Sequence, residues 1–198
     1  MWLYGIFLTL EFISVLIAVS LSLHAYPDAC RTILWQYGGT QGWNSDPHAR
    51  IYFFANYREP PPIPKVWSDE ITESNLAISA ISSVAWIVRL ILRRCRPSGS
   101  TRYNNILLLF DAVLTAFWAL SIGNQISGDL SDQDHPSDWP WYLVYRCGGL
   151  ERPEYGCCVL ARALLWFSGN LLMLYSGRFV WGLYELYRSV VGRNARQG

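Results

Sequence analysis

Four long apolar segments divide this chain of 198 residues, and they constrain its fold more than any other feature. They lie at about 2–23, 76–92, 106–126 and 159–177. A helix needs about 20 apolar residues to cross a hydrocarbon core roughly 30 Å thick, and a soluble domain of this size has no need of four such segments. The sequence therefore predicts an all-α membrane protein, an antiparallel bundle of four transmembrane helices that forms a single polytopic domain over the whole chain.

Arginine is concentrated in two of the polar segments. The segment 93–105 contains no acid and four arginines, namely Arg93, Arg94, Arg96 and Arg102. The tail, 178–198, has one acid, Glu185, and four arginines, namely Arg178, Arg188, Arg193 and Arg196. Because basic residues near span ends stay in the cytoplasm, we expect this loop, this tail and both termini to be cytoplasmic.

The other two connections, 24–75 and 127–156, are then long non-cytoplasmic loops. We expect the first span to be retained rather than cleaved as a signal peptide, because it lacks a basic start and Glu11 interrupts it. The chain is thus predicted to be a multi-pass integral protein of the plasma membrane or an endomembrane.

The charge distribution limits the partners that we expect. A net charge of +1 argues against a nucleic-acid partner, which would require a basic patch. The basic loop and tail would attract anionic lipids at the cytoplasmic face, with ~1 kcal/mol for each Lys or Arg near the surface. The bilayer is therefore the first expected partner, and association with a second copy or with other membrane proteins is left open.

Four ionisable residues lie inside or at the ends of the apolar segments: Glu11, Arg89, Asp111 and Arg162. Such groups are costly in a bilayer and normally face a partner inside the bundle. Glu11 lies about 14 Å into its span at 1.5 Å per residue. Arg89 and Asp111 approach from the same side and are predicted to pair. Arg162 lies near the other end of its span, where it can extend towards the headgroups.

These charges permit two interpretations, a structural link between helices and a proton or ion path through Glu11 and Asp111. A path requires polar residues at every level of the bilayer. The candidates beyond Glu11 are Asn170, followed by Asn124 and Gln125 near the rim. Because that series is sparse, the sequence favours the structural interpretation.

Four of the five cysteines fall on the predicted non-cytoplasmic side: Cys30, Cys147, Cys157 and Cys158. That compartment permits disulfides. Cys147 and Cys157 would close a small loop, and Cys30 could pair with the remaining cysteine, but four cysteines allow three connectivities. The fifth, Cys95, lies between two arginines beside the second span, so it is either an S-palmitoylation candidate or an inert thiol.

The sequence contains none of the common signatures of catalysis or metal binding. It has no glycine-rich phosphate loop, no His-Glu-x-x-His and no Gly-x-Ser-x-Gly motif. The three histidines are scattered and show no metal-ligand spacing. We therefore expect a protein that is not an enzyme, with no catalytic residue, no metal and no cofactor.

Two stretches carry a resemblance to a known family. An aspartate lies in the third span within NNILLLFDAVLTAFWAL, and cysteines precede the last span within YRCGGLERPEYGCCVLARALLWFSG. With four spans and a short basic middle loop, the chain resembles fungal MARVEL-domain and related tetraspan proteins. The resemblance implies a non-enzymatic role in membrane-domain organisation, membrane apposition or vesicle trafficking. The alternatives are a small ion- or proton-coupled transporter or channel subunit that uses Glu11 and Asp111, and an accessory subunit of a larger membrane complex.

Overall fold

A computed structural model describes residues 2–27, 29–48, 63–95, 101–132 and 134–194 of the chain, and this part is helical. The elements, in chain order, are α1 (Trp2–Ala25), α2 (Ala29–Thr40), a 3-10 turn (Lys65–Trp67), α3 (Glu70–Arg94), α4 (Thr101–Gln125), α5 (Trp141–Val144) and α6 (Glu154–Asn194). Within the described residues, extended pairing is limited to one isolated bridge between Asp129 and Ser137.

Four of these helices, α1, α3, α4 and α6, are long and apolar enough to cross a membrane. The prediction of an all-helical chain with four such segments is thereby confirmed. Several boundaries differ from those predicted. Helix α4 begins at Thr101 rather than near 106, and α6 begins at Glu154 rather than near 159. Helix α3 begins at Glu70 rather than near 76, because a polar first turn with acidic residues suits the positive end of a helix dipole.

Helix α6 does not end near 177 but runs on to Asn194. The apolar segment of the sequence ends before Arg178 because that residue is charged. The helix continues past it, because a charged side chain does not interrupt the hydrogen bonds of the helix backbone. The residues that follow, FVWGLYELYRSVV, contain no proline and continue the helix. Much of the segment predicted as a tail is therefore the final part of one 41-residue helix.

The four long helices form a closed ring, in which α1 packs against α3 and α6, and α4 packs against the same two helices. Successive helices run antiparallel. The centre of the ring is filled by seven buried side chains: Val15, Ala18, Ala85, Leu114, Trp118, Leu171 and Tyr175. Large apolar side chains such as Leu16, Val84 and Leu120 are exposed around the outside. Lipid rather than water is the solvent that suits such a surface.

Over one end of the ring lies a folded layer, which we call the cap, made of residues 29–48, 63–69 and 127–150. Its core includes Leu34, Trp35, Val66, Trp67, Trp141 and Tyr142, together with the half-cystines. Helix α2 packs on α6, and the 3-10 turn contacts α2, α3 and α4. The described parts of the two segments predicted as long loops are thus a compact structure built on tryptophan.

Among the described glycines, Gly38 in α2 has the least room for a side chain. A methyl group added there would lie 1.7 Å from Oδ1 of Asn44 and 2.5 Å from Cδ1 of Trp141. We predict that Gly38→Ala destabilises the protein by about 1–3 kcal/mol, the usual cost of overpacking a core. Thermal unfolding in detergent, followed by tryptophan fluorescence, measures the effect.

Gly148→Ala is the matched control, because an added methyl group at this other cap glycine meets nothing within 4 Å. Equal midpoints for the two variants would contradict the packing described at Gly38.

Candidate functional site: a buried charge network and a disulfide-bonded cap

Each of the four long helices contributes one charged residue to a network inside the bundle. Arg89 of α3 donates from Nη1 to both carboxylate oxygens of Glu11 on α1, at 3.1 and 3.3 Å. Its Nη2 donates to Oδ1 of Asp111 on α4. Arg178 of α6 donates from Nη1 to Oε2 of the same glutamate. The order of contacts is therefore Arg178, Glu11, Arg89 and Asp111, with the charges alternating in sign.

The formal charges of the network sum to zero, and its side chains are largely buried. Glu11 is 0% exposed and Arg89 is 2% exposed, so neither charge can reach solvent. An unpaired charge at the centre of a membrane helix costs ~2.5–3.5 kcal/mol on insertion scales. Two carboxylates and two guanidinium groups cancel one another, and this cancellation fixes which helices must be neighbours.

A tyrosine supports the network from the side. The ring of Tyr175 on α6 lies 5.4 Å from Cζ of Arg89, which is the geometry of a cation–π contact. The tyrosine itself is 0% exposed. The guanidinium group of Arg89 is therefore held by two carboxylates and by the face of an aromatic ring.

A second polar cluster lies between this network and the cap. Gln125 donates from Nε2 to the hydroxyl oxygens of Ser121 at 3.0 Å and Ser168 at 3.1 Å. The Ser121 hydroxyl donates to Oδ1 of Asn75. Nearer the charges, Nε1 of Trp118 donates to the Ser82 hydroxyl at 3.2 Å. These bonds join α3, α4 and α6 at a second level.

The structure brings together three of the charged residues that the sequence singled out, Glu11, Arg89 and Asp111, including the expected Arg89–Asp111 pair. Arg178 was missed as a partner of Glu11, because it was assigned to the tail. The sequence places two carboxylates, Glu11 and Asp111, and one arginine, Arg89, at a similar depth. This excess of negative charge could have indicated a second arginine partner.

Arg162 lies near the cap end of its helix, as predicted, whereas Asn170 does not lie in the interior. Arg162 donates to the backbone carbonyl oxygens of Tyr142 and Tyr145, so it fastens the cap to α6, a contact that the sequence did not predict. Asn170 is exposed on the outside of the ring, where it cannot contribute to an internal path. The interior polar residues are Gln125, which the sequence singled out, together with serines and Asn75, which were not expected in that role.

Asp129 organises the cap. It is 0% exposed, and its Oδ2 accepts hydrogen bonds from the Ser45 hydroxyl at 2.5 Å and from Nε1 of Trp67 at 2.9 Å. Its Oδ1 accepts from the backbone N–H and the hydroxyl of Ser131. One buried carboxylate thus connects all three chain segments of the cap to one another, a link that sequence alone does not reveal.

Two disulfides fasten the cap to the first turns of α6. Cys30 is bonded to Cys157, and Cys147 is bonded to Cys158. Neighbouring residues on a helix point about 100° apart, so the adjacent cysteines reach different partners. The prediction that Cys147 bonds one of the adjacent pair is confirmed. The Cys147–Cys157 pairing considered first is wrong.

Cys95 is the free cysteine and lies exposed just after α3, at the end of the bundle opposite the cap. Exposed Arg94 precedes it, whereas Arg96 falls outside the described residues. The backbone places Arg102 in the first turn of α4 and Arg193 at the end of α6, and Arg196 also lies outside the described part. Among the described residues, no group of three or more His, Cys, Asp or Glu side chains could hold a metal ion.

Removal of Glu11 is predicted to destabilise the protein more than removal of Asp111. Glu11→Leu leaves two arginines beside one aspartate, whereas Asp111→Leu leaves Arg89 still paired with Glu11. Breaking a buried ion pair from one side costs about 3–5 kcal/mol. The folded yield after detergent extraction, measured by size-exclusion chromatography, should therefore be lowest for Glu11→Leu.

The double variant Glu11→Leu/Arg178→Leu restores charge balance, because Arg89 and Asp111 remain as a neutral pair. It should recover much of the yield that the single variant loses. A Glu11→Leu protein that folds as well as wild type would show that the network does not hold the bundle together.

Peptide mapping tests the disulfides directly. Because Cys157 and Cys158 are adjacent, digestion of unreduced protein from its native membrane should release one product in which a single peptide is bonded to both the Cys30 peptide and the Cys147 peptide. Partial reduction and alkylation with one reagent, followed by full reduction and alkylation with a second, labels the two cysteines differently. Fragmentation of the peptide between residues 157 and 158 should then show that Cys158 carries the same label as Cys147, and Cys157 the same label as Cys30. Recovery of Cys30 joined to Cys158 would contradict the arrangement.

Comparison with known proteins adds no further assignment. The chain matches no family model, no curated protein and no solved structure. The resemblance to MARVEL-domain tetraspan proteins therefore remains an expectation. A function must be argued from the charge network and the cap.

Proposed function

We propose that this protein is a non-enzymatic tetraspan membrane protein that organises membranes, and that it brings membranes together through its cap. The observation that carries the proposal is the construction of the cap. Three separate chain segments are joined by two disulfides and the Asp129 carboxylate into one body on the end of the bundle. A rigid surface at the end of the bundle can bind a facing membrane or protein without the entropic cost of ordering flexible loops.

The charge network supports a structural role for the bundle. Both carboxylates and both arginines already have partners of opposite sign. Moving one helix relative to the others would separate these pairs in hydrocarbon, where a bare charge is expensive. The bundle is thus suited to hold the cap in a fixed position.

Two features support an orientation with the cap outside the cytoplasm and both termini within it. Disulfides form and persist in the extracellular and lumenal compartments, and both bridges lie at the cap end. Exposed Arg94 and Arg188 lie towards the other end, where basic residues would attract anionic lipid. Arg178, which is engaged with Glu11, does not contribute to that basic face. Palmitoylation of Cys95 would add a lipid anchor at the same end of the bundle as these arginines.

Reconstituted vesicles test the proposal. We predict that vesicles with the cap outward cluster, as measured by dynamic light scattering, and that Cys147→Ser/Cys158→Ser reduces clustering because it opens one of the two bridges. Cys95→Ser is the matched control, since it removes a cysteine that takes no part in the cap. An impermeant maleimide reports orientation in the wild type, because Cys95 in cap-outward vesicles reacts only after permeabilisation.

Clustering that requires intact bridges supports membrane apposition. Correctly oriented, disulfide-bonded protein that leaves vesicles dispersed would overturn it. Clustering that is equally strong in the double cysteine variant would show that the lipids or the basic end bring the vesicles together.

A small proton-coupled transporter is the second candidate, and the interior of the bundle provides the observation in its favour. Buried polar residues recur along one face of α3, namely Asn75, Ser79, Ser82 and Arg89. Among the residues that the structure describes, Nδ2 of Asn75, Oγ of Ser79 and Oε1 of Gln125 have no hydrogen-bond partner. Ordered water satisfies buried groups of this kind. A pH-driven proton flux in the same vesicles, abolished by Glu11→Gln, would favour this function over apposition.

A further inference from the structure

An exposed stripe of four residues follows one side of α6, and we call it the α6 stripe: Trp166, Asn170, Met173 and Gly177. Between 164 and 179 these four residues are exposed on the outside of the ring, and the others are buried or partly buried. Trp166 and Met173 are 74% and 75% exposed. Their spacing of four, three and four is the heptad spacing by which one helix packs along another.

The polar member of the stripe lies at a depth where only hydrocarbon would surround it. Asn170 is eight residues from Arg178, or about 12 Å towards the cap at 1.5 Å per residue. It is therefore between the charge network and the cap, within the segment of α6 that is apolar enough to cross a membrane. Its Nδ2 donates to the carbonyl oxygen of Trp166 in its own helix, at 2.8 Å.

That one bond does not satisfy the amide. Asparagine has two N–H donors and a carbonyl oxygen with two lone pairs. The groups left over face lipid tails, which offer no hydrogen bond, and leaving them unpaired in hydrocarbon is unfavourable. The stripe thus requires a partner that supplies both a donor and an acceptor at the level of Asn170.

We propose that the partner is a second copy of this chain, joined through α6 to form a dimer. Two copies in one membrane have the same topology, so a twofold axis that relates them is perpendicular to the bilayer. The two α6 helices then run parallel and in register, and Asn170 meets its own counterpart. Identical amides can each donate to the other, which makes asparagine self-complementary in a twofold interface.

The surroundings of the stripe suit a close helix pair. A groove of about 520 Å³ between α4 and α6 borders the stripe. Trp166, Asn170 and Met173 form one side of it, together with Ile122, Ile126, Leu165 and Gly169. Small residues such as Gly169 and Gly177 let membrane helices approach closely. Large stripe residues of one copy, Trp166 and Met173, can enter the groove of the other.

The length of α6 extends the same contact beyond the bundle. From Val180 onward the helix is exposed on almost every side. The four-and-three spacing continues there through apolar and aromatic residues, at Val180, Tyr184, Tyr187 and Val191. A contact from Trp166 to Val191 would be about 37 Å long at 1.5 Å per residue. One asparagine in such a stripe fixes the register of the pair.

Cysteine cross-linking in native membranes tests the dimer, in a Cys95→Ser background that removes the free thiol. Oxidation should convert the Met173→Cys protein into a covalent dimer on a non-reducing gel. Leu120→Cys is the matched control, because Leu120 is 65% exposed on α4. It is nine residues from Asp111, as Asn170 is eight from Arg178, so it lies at the depth of Asn170, about one turn nearer the cap than Met173. It should stay monomeric.

Three further variants distinguish the contribution of the Asn170 amide from that of helix packing. Asn170→Leu changes both copies and removes both amide–amide bonds, so it should lower the yield of the dimer at position 173 about eightfold, the factor expected for two average interhelical hydrogen bonds. Asn170→Gln keeps an amide, so it should lower the yield of the cross-linked dimer less. Gly177→Leu should also reduce the yield by keeping the helices apart, although a Cβ atom there meets nothing within 4 Å in its own chain.

Three outcomes overturn the proposal. Equal cross-linking at 173 and 120 means random collision. No cross-linking of folded Met173→Cys protein means that lipid or a different membrane protein covers the stripe. A yield unchanged by Asn170→Leu means that the amide does not hold the pair. The dimer does not depend on the proposed role of the cap, since these measurements involve no second membrane.

Discussion

Hydrocarbon offers an ion no water, and the arrangement of this protein depends on how that constraint is met at Glu11. The glutamate accepts hydrogen bonds from Arg89 and Arg178, which lie on two different helices. Through Arg89 it is linked to Asp111 on the remaining helix. Because each charge would be expensive alone, the helices are held in the one order that pairs them all.

The two ends of the bundle are stabilised by different physical chemistry. At one end the helices are held by electrostatic attraction, which is strong where the surroundings are apolar and water is excluded. At the cap end they are held by covalent bridges and by tryptophan N–H groups that donate to Asp129 and to backbone oxygens. Between them, serines, Gln125 and Asn75 link three of the helices by hydrogen bonds. Neither end relies on side-chain packing alone.

Composition along the chain was enough to predict the four helices, because long apolar runs have few alternatives in a membrane. It also led to the Arg89–Asp111 pair, since adjacent antiparallel helices place residues from the same side at similar depths. It did not predict the position of Arg178 inside the bundle, because an apolar stretch of sequence ends at a charged residue even where the helix continues. It failed for Asn170, because the direction of a side chain depends on how its helix is rotated against its neighbours.

The cap shows a different limit of sequence analysis. Asp129 and Ser45 are far apart in the chain, and each looks like an ordinary polar loop residue. Their contact depends on how three segments fold over the helix ends, and no periodic pattern encodes it. The disulfides were limited to three arrangements by counting, but only the directions of Cys157 and Cys158 on α6 decide between them.

Helix α6 has a mechanical consequence. Its 41 residues correspond to about 61 Å of continuous helix at 1.5 Å per residue, roughly twice the hydrocarbon thickness. Both bridges are attached near its first turn, and Arg178 clamps it to α1 farther along. The helix therefore joins the bridges without a break to the residues around Arg188, about 45 Å away at 1.5 Å per residue. Because the bridges and Arg178 fix the rotation of α6, those residues keep a set distance and direction relative to the cap.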